Sequence, residues 1–202
     1  MTPSTQLLKS FDIPGPRYTS YPTADRFVEA FAEAEYLQAL ELRRHSARAY
    51  AYPLSVYVHI PFCESLCYYC ACNKIITGKY ERAEQYLQNL QTEVALLLPH
   101  LGAGNVISQL HLGGGTPTFL RDSELRALMQ SLGNAFQWKP DGEYSVEVDP
   151  RTVDTQRLAT LRELGFNRLS LGVQDFDEQV QVAVHREQSV EQVQDLIQAA
   201  RT

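Results

Sequence analysis

Cys63, Cys67 and Cys70 follow one another as Cys-x-x-x-Cys-x-x-Cys directly after the apolar stretch Tyr57 to Phe62, and Cys72 comes two residues later. Three thiolates can hold three corners of a four-iron cluster and leave the fourth iron open. A cluster ligated by thiolate at every iron suits electron passage, whereas one with an exchangeable corner can bind and cleave a substrate or cofactor. Zinc on all four cysteines is the alternative. Structural zinc usually takes ligand pairs across a longer spacer, and a ligand two residues from the last fits a tetrahedron poorly. The bacterial ferredoxin run ending in Cys-Pro is absent. Cys72 reads as a neighbour that does not ligate, with a buried inert thiol as its alternative role. Cysteines this close could close only small, strained disulfide loops, which in a reducing compartment favours metal.

Other residues with chemistry stand further along. Gly113-Gly114-Gly115-Thr116-Pro117 is either a tight turn or a bare backbone that lets a small polar ligand come close. It meets neither the phosphate-loop spacing nor the dinucleotide spacing. Glu147, in Glu147-Val148-Asp149-Pro150, is a solvated or capping carboxylate, or one that binds an amine or ribose hydroxyl. His59, between apolar neighbours, reads equally as a packed core histidine or a catalytic one. Arg186, in His185-Arg186-Glu187, forms a surface ion pair or binds an anion. Tyr57 and Tyr69 could simply pack.

The elements that must position these residues alternate. Leu54 to Ile60 is β-rich, and Leu87, Leu90, Val94, Leu97, Leu98 and Leu101 recur at helical spacing. Ile107 to Leu112 predicts a second strand, followed by a helix opened by Asp122-Ser123-Glu124 and carrying Leu125, Leu128, Met129, Leu132 and Phe136. Tyr144 to Val148 predicts a third strand, and Leu158, Leu161 and Leu164 a helix capped by Asp154 and ended by Gly165. Arg168 to Val173 is a fourth strand. The last helix has Ser189 and Gln192 at capping-box spacing before Val193, Leu196, Ile197 and Ala200.

This pattern predicts an α/β fold with a parallel sheet and right-handed crossovers, about four βα units of a partial (β/α) barrel over residues 51–202. Residues 1–50, with Pro3, Pro14, Pro16, Pro22 and a helical stretch from Arg26 to Arg48, read as an N-terminal arm. A chain stopping after a helix, where a further strand is expected, reads as the first part of a longer barrel, since four units do not close one. The cysteine loop, the glycine turn, Glu147 and Gln174-Asp175 all fall at the C-terminal ends of strands, the rim where α/β barrels build active sites.

Of the 202 residues 44% are apolar, enough for a real core. Eighteen Lys and Arg against 24 Asp and Glu leave −6 with no long basic run, which argues against nucleic acid as a partner. No basic leader with an apolar run, and no window near the roughly 20 apolar residues of a membrane span, is present, so the expectation is a cytoplasmic protein.

The cysteine spacing, with an aromatic residue before the third Cys, resembles the signature of the radical S-adenosylmethionine enzymes. Within them, Gly15 to Ala24, Tyr57 to Cys63, Cys70-Ala71-Cys72-Asn73-Lys74, Gly113 to Thr118, Glu147 to Arg151 and Gly172 to Phe176 resemble the oxygen-independent coproporphyrinogen III oxidases. The likeness implies a radical-SAM-type partial barrel in which Cys63, Cys67 and Cys70 ligate a 4Fe-4S cluster and S-adenosylmethionine chelates the open iron. It also implies a second S-adenosylmethionine, with Tyr57, Tyr69, Gly114, Gly115, Thr116, Glu147, Gln174 and Arg186 lining the two pockets. The implied reaction belongs to haem biosynthesis: a 5′-deoxyadenosyl radical starts the oxidative decarboxylation of two propionates of coproporphyrinogen III to vinyl groups, giving protoporphyrinogen IX. The electron donor is unidentified, no catalytic side chain is assigned, and a monomer is expected. Family members are considerably longer, so this portion alone is expected to bind poorly and turn over nothing. A haem chaperone of a sibling branch and an iron-sulfur electron-transfer module are the competing functions; Cys72-Asn73-Lys74 and Tyr18 to Thr23 favour the oxidase branch.

Overall fold

The structure, a computed structural model, describes residues 4–11, 23, 26–46, 51–102 and 104–201. The prolines of the arm and, apart from Thr23, the Gly15 to Ala24 segment lie outside the described residues, as does the Arg48 end of the expected helical stretch. The chain divides into two compact units, Met1–Ala39 and Leu40–Thr202. In the first, α1 (Thr5–Phe11) is opened by Ser4 Oγ, which accepts the Leu7 N–H at 3.2 Å. Helix α2 (Glu33–Arg44), inside which the division between the units falls, carries Glu33 and Glu35 in its first turn and Arg43 and Arg44 in its last, the order its dipole favours. It buries none of its residues.

The second unit runs β1 (Leu54–Ile60), β2 (Phe62–Cys63), β3 (Ile75–Ile76), α3 (Glu81–Leu101), β4 (Val106–Gly114), α4 (Asp122–Ala135), β5 (Gln137–Val148), α5 (Thr155–Glu163), β6 (Arg168–Leu171), α6 (Glu178–Ala183) and α7 (Val190–Ala200). Strands β1, β4, β5 and β6 form one all-parallel sheet in that spatial order. This is the expected α/β architecture.

Alternation along these strands explains the layout. Val58 and Ile60, Leu110 and Leu112, and Val146 and Val148 point to one face and are buried there, with Leu169 and Leu171 packed against the same cluster. Leu87 and Leu101 of α3, Leu125, Leu128 and Leu132 of α4, Leu158 and Leu161 of α5 and Leu196 of α7 complete this core. Each such side chain contributes about 1.5–3 kcal/mol by leaving water. The intervening residues, Tyr57 and His59, Gln109 and His111, Ser145 and Glu147, turn polar groups to the other face. Buried parallel strands usually read as apolar on both faces; here one face is reserved for polar work.

The caps follow the sequence. Asp154 accepts the Arg157 N–H, and Gly165 at φ +94° leaves α5 in the left-handed region. Ser189 Oγ accepts the Gln192 N–H, but the Gln192 side chain donates to Pro150 O at 2.8 Å instead of closing the box.

Four differences have local causes. Strand β5 begins at Gln137 rather than Tyr144: the turn signals Pro140 and Gly142 are absorbed by a register irregularity opposite Ile107 to Gln109, and the Tyr144 ring folds over Gly142. Phe136 caps α4 from outside the helix in an extended conformation, its ring in the core. Strand β6 stops at Leu171, two residues before Val173, where the Val173 N–H turns back to Leu171 O at 3.2 Å; Gln174 beyond it takes φ +69°. Strands β2 and β3 pair as Phe62 with Ile75 and Cys63 with Ile76, a ladder too short for any periodicity to announce.

Candidate active site

The β2–β3 ladder closes the cysteine loop at its base. Pro61 O accepts the Ile75 N–H at 2.7 Å and Cys63 O the Thr77 N–H at 3.0 Å, so both ends of the loop are pinned to the end of β1. Inside it, Cys70 N–H donates to Cys67 O at 3.0 Å, and Lys74 Nζ crosses back to Cys70 O at 2.7 Å. From outside, the turn between α6 and α7 grips it. Val184 O accepts the Tyr68 N–H at 3.0 Å, His185 Nδ1 meets Leu66 O at 2.8 Å, and the His185 and Tyr68 rings stack at 5.4 Å.

Cys63, Cys67 and Cys70 line one cavity of about 420 Å³ with Tyr69, Gly115, Thr116, Asp149, Arg151 and Arg186. The Thr116 hydroxyl donates to Cys63 Sγ at 3.5 Å, and the Arg151 and Arg186 guanidiniums donate to Cys67 Sγ at 3.5 and 3.4 Å. Burial pushes the Cys63 thiol up, the Thr116 hydroxyl pulls it back, and the neighbouring Cys70, Cys67 and Asp149 push it up again. Cations and hydroxyls aimed at sulfur suit thiolates, and a bound metal removes thiol protons outright. The donor set thus fits an iron-sulfur group held by three thiolates. Among the described residues no three or more His, Cys, Asp or Glu are grouped so as to hold a metal ion as they stand; the three thiols share a cavity rather than a point. Cys72, read from sequence as a neighbour with burial as the alternative, is exposed.

The glycine turn comes next along the rim. Gly114 has φ +115°, and a Cβ there would meet the His59 ring at 2.8 Å. At Gly115 a Cβ would meet the Pro61 backbone at 2.7 Å, because Gly115 N–H donates to Ile60 O and Thr116 N–H to Phe62 O, each at 2.8 Å. The turn is bare because it lies against the end of β1.

Glu147 accepts the Gly114 N–H at 3.1 Å through Oε2 and faces His111 Nε2 at 3.3 Å through Oε1. The Ser145 oxygen lies 2.7 Å from His111 Nδ1 and 3.2 Å from Leu110 O, so one hydroxyl bridges the ring and the β4 backbone. Tyr57 stacks on His111 at 5.8 Å. His59 is half-buried and hydrogen-bonded at both nitrogens: Nε2–H donates to Asn73 O at 2.8 Å, so Nδ1 accepts from Tyr57 Oη at 3.0 Å.

A second cavity of about 260 Å³ adjoins the first, lined by Tyr69, Cys70, Gly114, Gly115, Thr116, Glu147, Gln174 and Arg186 among others. The structure therefore brings seven of the eight expected cofactor residues to one place, with Tyr57 beside it behind His111 and Glu147. Tyr69, between the cavities, has its phenol pushed up to about 12 by burial. Arg186 is buried rather than at the surface: it donates to Gly172 O through Nε at 3.1 Å and Nη2 at 2.6 Å, and through Nη1 to Cys67 Sγ and to Asp149 at 3.2 Å.

Asp149, Arg151, Ser145 and His111 were not among the expected site residues. Asp149 and Arg151 stood inside a quoted motif, and strict polar alternation on β4 and β5 would have found the other two.

A three-cysteine loop after the first strand of a parallel α/β sheet, with a cleft beside it, defines a class. The pattern of the Radical SAM superfamily matches residues 57–202, and the chain belongs to that superfamily. Among its relatives, the oxygen-independent coproporphyrinogen III oxidase of Pseudomonas aeruginosa is 50% identical over 198 residues, covering 97% of this chain and 42% of that protein. The protein of the same name from Synechocystis sp. is 39% identical over 200 residues, covering 98% and 42%. A solved structure, coproporphyrinogen III oxidase from Escherichia coli, described as a radical SAM enzyme, matches with a TM-score of 0.83 at 48% identity over 97% of this chain and 42% of that one. The chain spans about two fifths of the length of these relatives.

Proposed function

We propose that this chain is the cluster- and cofactor-binding portion of an oxygen-independent coproporphyrinogen III oxidase, acting in porphyrin and haem biosynthesis. The observation that carries the reading is the joining of the three thiols, the bare Gly114-Gly115 turn and Glu147 in two adjoining cavities at one rim. Identity near one half to proteins of that name supports the substrate, coproporphyrinogen III.

In this reading Cys63, Cys67 and Cys70 hold a 4Fe-4S cluster, and the neighbouring cavity takes S-adenosylmethionine, with two molecules per site. When bound, the pair would supply the one-electron radical chemistry for oxidative decarboxylation of the substrate propionates. The chain's own residues do the rest. Glu147 binds an amine or hydroxyl of the cofactor, Gly114 and Gly115 let it approach the backbone, and Tyr69, Thr116, Gln174 and Arg186 close its flanks. Tyr57 backs the carboxylate through His111. Closure matters because a primary carbon radical attacks whatever lies nearest.

Residues 1–50 act as an arm before the incomplete barrel of residues 51–202. The protein is cytoplasmic and monomeric and takes its electron from a separate donor. Among the described residues no helix is long and apolar enough to cross a membrane.

Anaerobic iron-sulfur reconstitution and dithionite reduction test this. The EPR signal of the reduced cluster is expected to change on adding S-adenosylmethionine, and a longer protein containing this chain to release 5′-deoxyadenosine. A signal indifferent to S-adenosylmethionine points to an electron-transfer module. Tight stoichiometric haem binding with coproporphyrinogen III untouched points to a haem chaperone.

A further inference from the structure

Cys67 is set apart from the other two thiols by what surrounds it. Cys63 Sγ receives a neutral hydroxyl from Thr116. Cys67 Sγ receives two guanidinium N–H groups, from Arg151 and Arg186, which also share the Asp149 carboxylate. Asp149 fixes Arg151 as a fork: Nε to Oδ1 at 3.0 Å, Nη2 to Oδ2 at 2.7 Å, and the Arg151 backbone N–H to Oδ1 at 3.0 Å. A fourth bond, Nη1 to His185 O at 3.3 Å, ties the same guanidinium to the turn that grips the cysteine loop. Side-chain exposure is 20% for Arg151 and 9% for both Asp149 and Arg186.

Two cations on one carboxylate leave one positive charge uncompensated, in a place where water does little to screen it. The acceptor both guanidiniums reach is the Cys67 sulfur. Charge and hydrogen bonds at the sulfurs set the potential of an iron-sulfur group: N–H donors and a nearby cation favour the more negative, reduced state.

We propose that Arg151, oriented by Asp149, is a positioning residue that directs surplus positive charge onto the Cys67 sulfur and raises the reduction potential of the cluster that Cys67 holds. The inference rests on the cluster assignment above and goes beyond it by giving Arg151 a task separate from holding the cofactor. Reduction adds one electron from dithionite to the cluster and makes or breaks no bond.

The test is an EPR-monitored redox titration of the anaerobically reconstituted protein, with iron and sulfide measured on every sample. Arg151→Met is expected to load iron like the unsubstituted protein and to titrate at a more negative potential. Arg151→Lys, which keeps the charge without the fork, is expected to recover most of the difference. A removed charge at the exposed Arg126–Glu163 pair, by Arg126→Met, is expected to leave the potential in place. Iron-loaded Arg151→Met at an unchanged potential overturns the proposal, and so does Arg151→Lys shifted as far as Arg151→Met, which would mean that only the fold of the loop matters. If Arg151→Met does not fold, Arg151→Gln takes its place, being neutral while still able to reach Asp149, and an unchanged potential there overturns the proposal equally. An unsubstituted protein that takes up no iron overturns the cluster assignment itself, a result distinct from loaded samples that share one potential.

Discussion

Around Cys67 the rim shields its charges and ties them to one another by hydrogen bonds, whereas around Glu147 it leaves polar groups half open to solvent. Asp149, Arg186 and Cys67 are each less than one tenth exposed and bound to one another. Tyr57, His111 and Glu147 are linked by stacking and hydrogen bonds, yet Tyr57 is 57% exposed and the His111 and Glu147 side chains 35% and 42%. A buried ion network is rigid and fails when one member goes, because the remaining charge is stranded. An open network can trade a protein or water partner for a ligand at small cost. The first suits a permanent group and the second one that comes and goes.

The largest effect that tests this contrast is at the thiols. Cys67→Ala is expected to abolish iron-sulfur loading, measured as iron per chain, and with it any 5′-deoxyadenosine formed by a longer protein. Glu147→Gln is expected to keep its iron and to weaken only the S-adenosylmethionine-dependent change in the EPR signal. Undiminished loading in Cys67→Ala, or lost loading in Glu147→Gln, would reverse the two regions' roles.

Asp149→Asn is expected to come next. Removing the one carboxylate strands the buried Arg186 guanidinium and the partly buried Arg151 guanidinium and should cost about 3–5 kcal/mol in urea unfolding of the apo protein. The pH dependence carries the same signature. Burial pushes the Asp149 carboxyl up, but the Arg151 hydrogen bonds and the Arg186 and Arg151 charges outweigh it and hold the group below its ordinary value. A carboxyl depressed by folding stabilises fully above its unfolded pKa of about 4 and loses that contribution as pH falls through the lower folded value. Stability should therefore fall below about pH 4 in the unsubstituted protein, with that component missing from Asp149→Asn. A substitution cost below about 1 kcal/mol would make the network a surface-like one.

How much of this was legible depended on whether a signal was local. The four strands, the Asp154 and Ser189 caps and the left-handed Gly165 are written within a few residues, and the structure has them. The gathering of Cys63, Cys67 and Cys70 at one cavity was legible because the three thiols lie in one short segment. Strand β5 starts well before the apolar run Tyr144 to Val148 because pairing with β4 and the Tyr144 ring accommodate Pro140 and Gly142, a non-local effect. The partners of Cys67 were hidden for a related reason: Arg151 and Arg186 reach it across 84 and 119 residues, and nothing near Cys67 announces them. From its neighbours alone Arg186 reads as a surface ion pair or an anion site; the packing of the α6–α7 turn over the loop buries it.

Two smaller substitutions probe the join between the regions. Gly115→Ala would put a methyl 2.7 Å from the Pro61 carbonyl, a backbone group fixed by its bond to Ile75 N–H. The turn must then move, at a cost of about 1–3 kcal/mol, and chemical denaturation should show it together with weaker S-adenosylmethionine binding. Tyr57→Phe is expected to do least. It removes the hydroxyl that donates to His59 Nδ1 but keeps the ring on His111, while His59 retains its bond to Asn73 O. At a half-exposed position water replaces the lost partner, so about 0.5–1 kcal/mol is expected in the same unfolding experiment, with iron loading untouched. A loss beyond about 2 kcal/mol would mean that Tyr57, His59 and His111 form a closed network like the one around Cys67, and the contrast between the two sides of the rim would fail there.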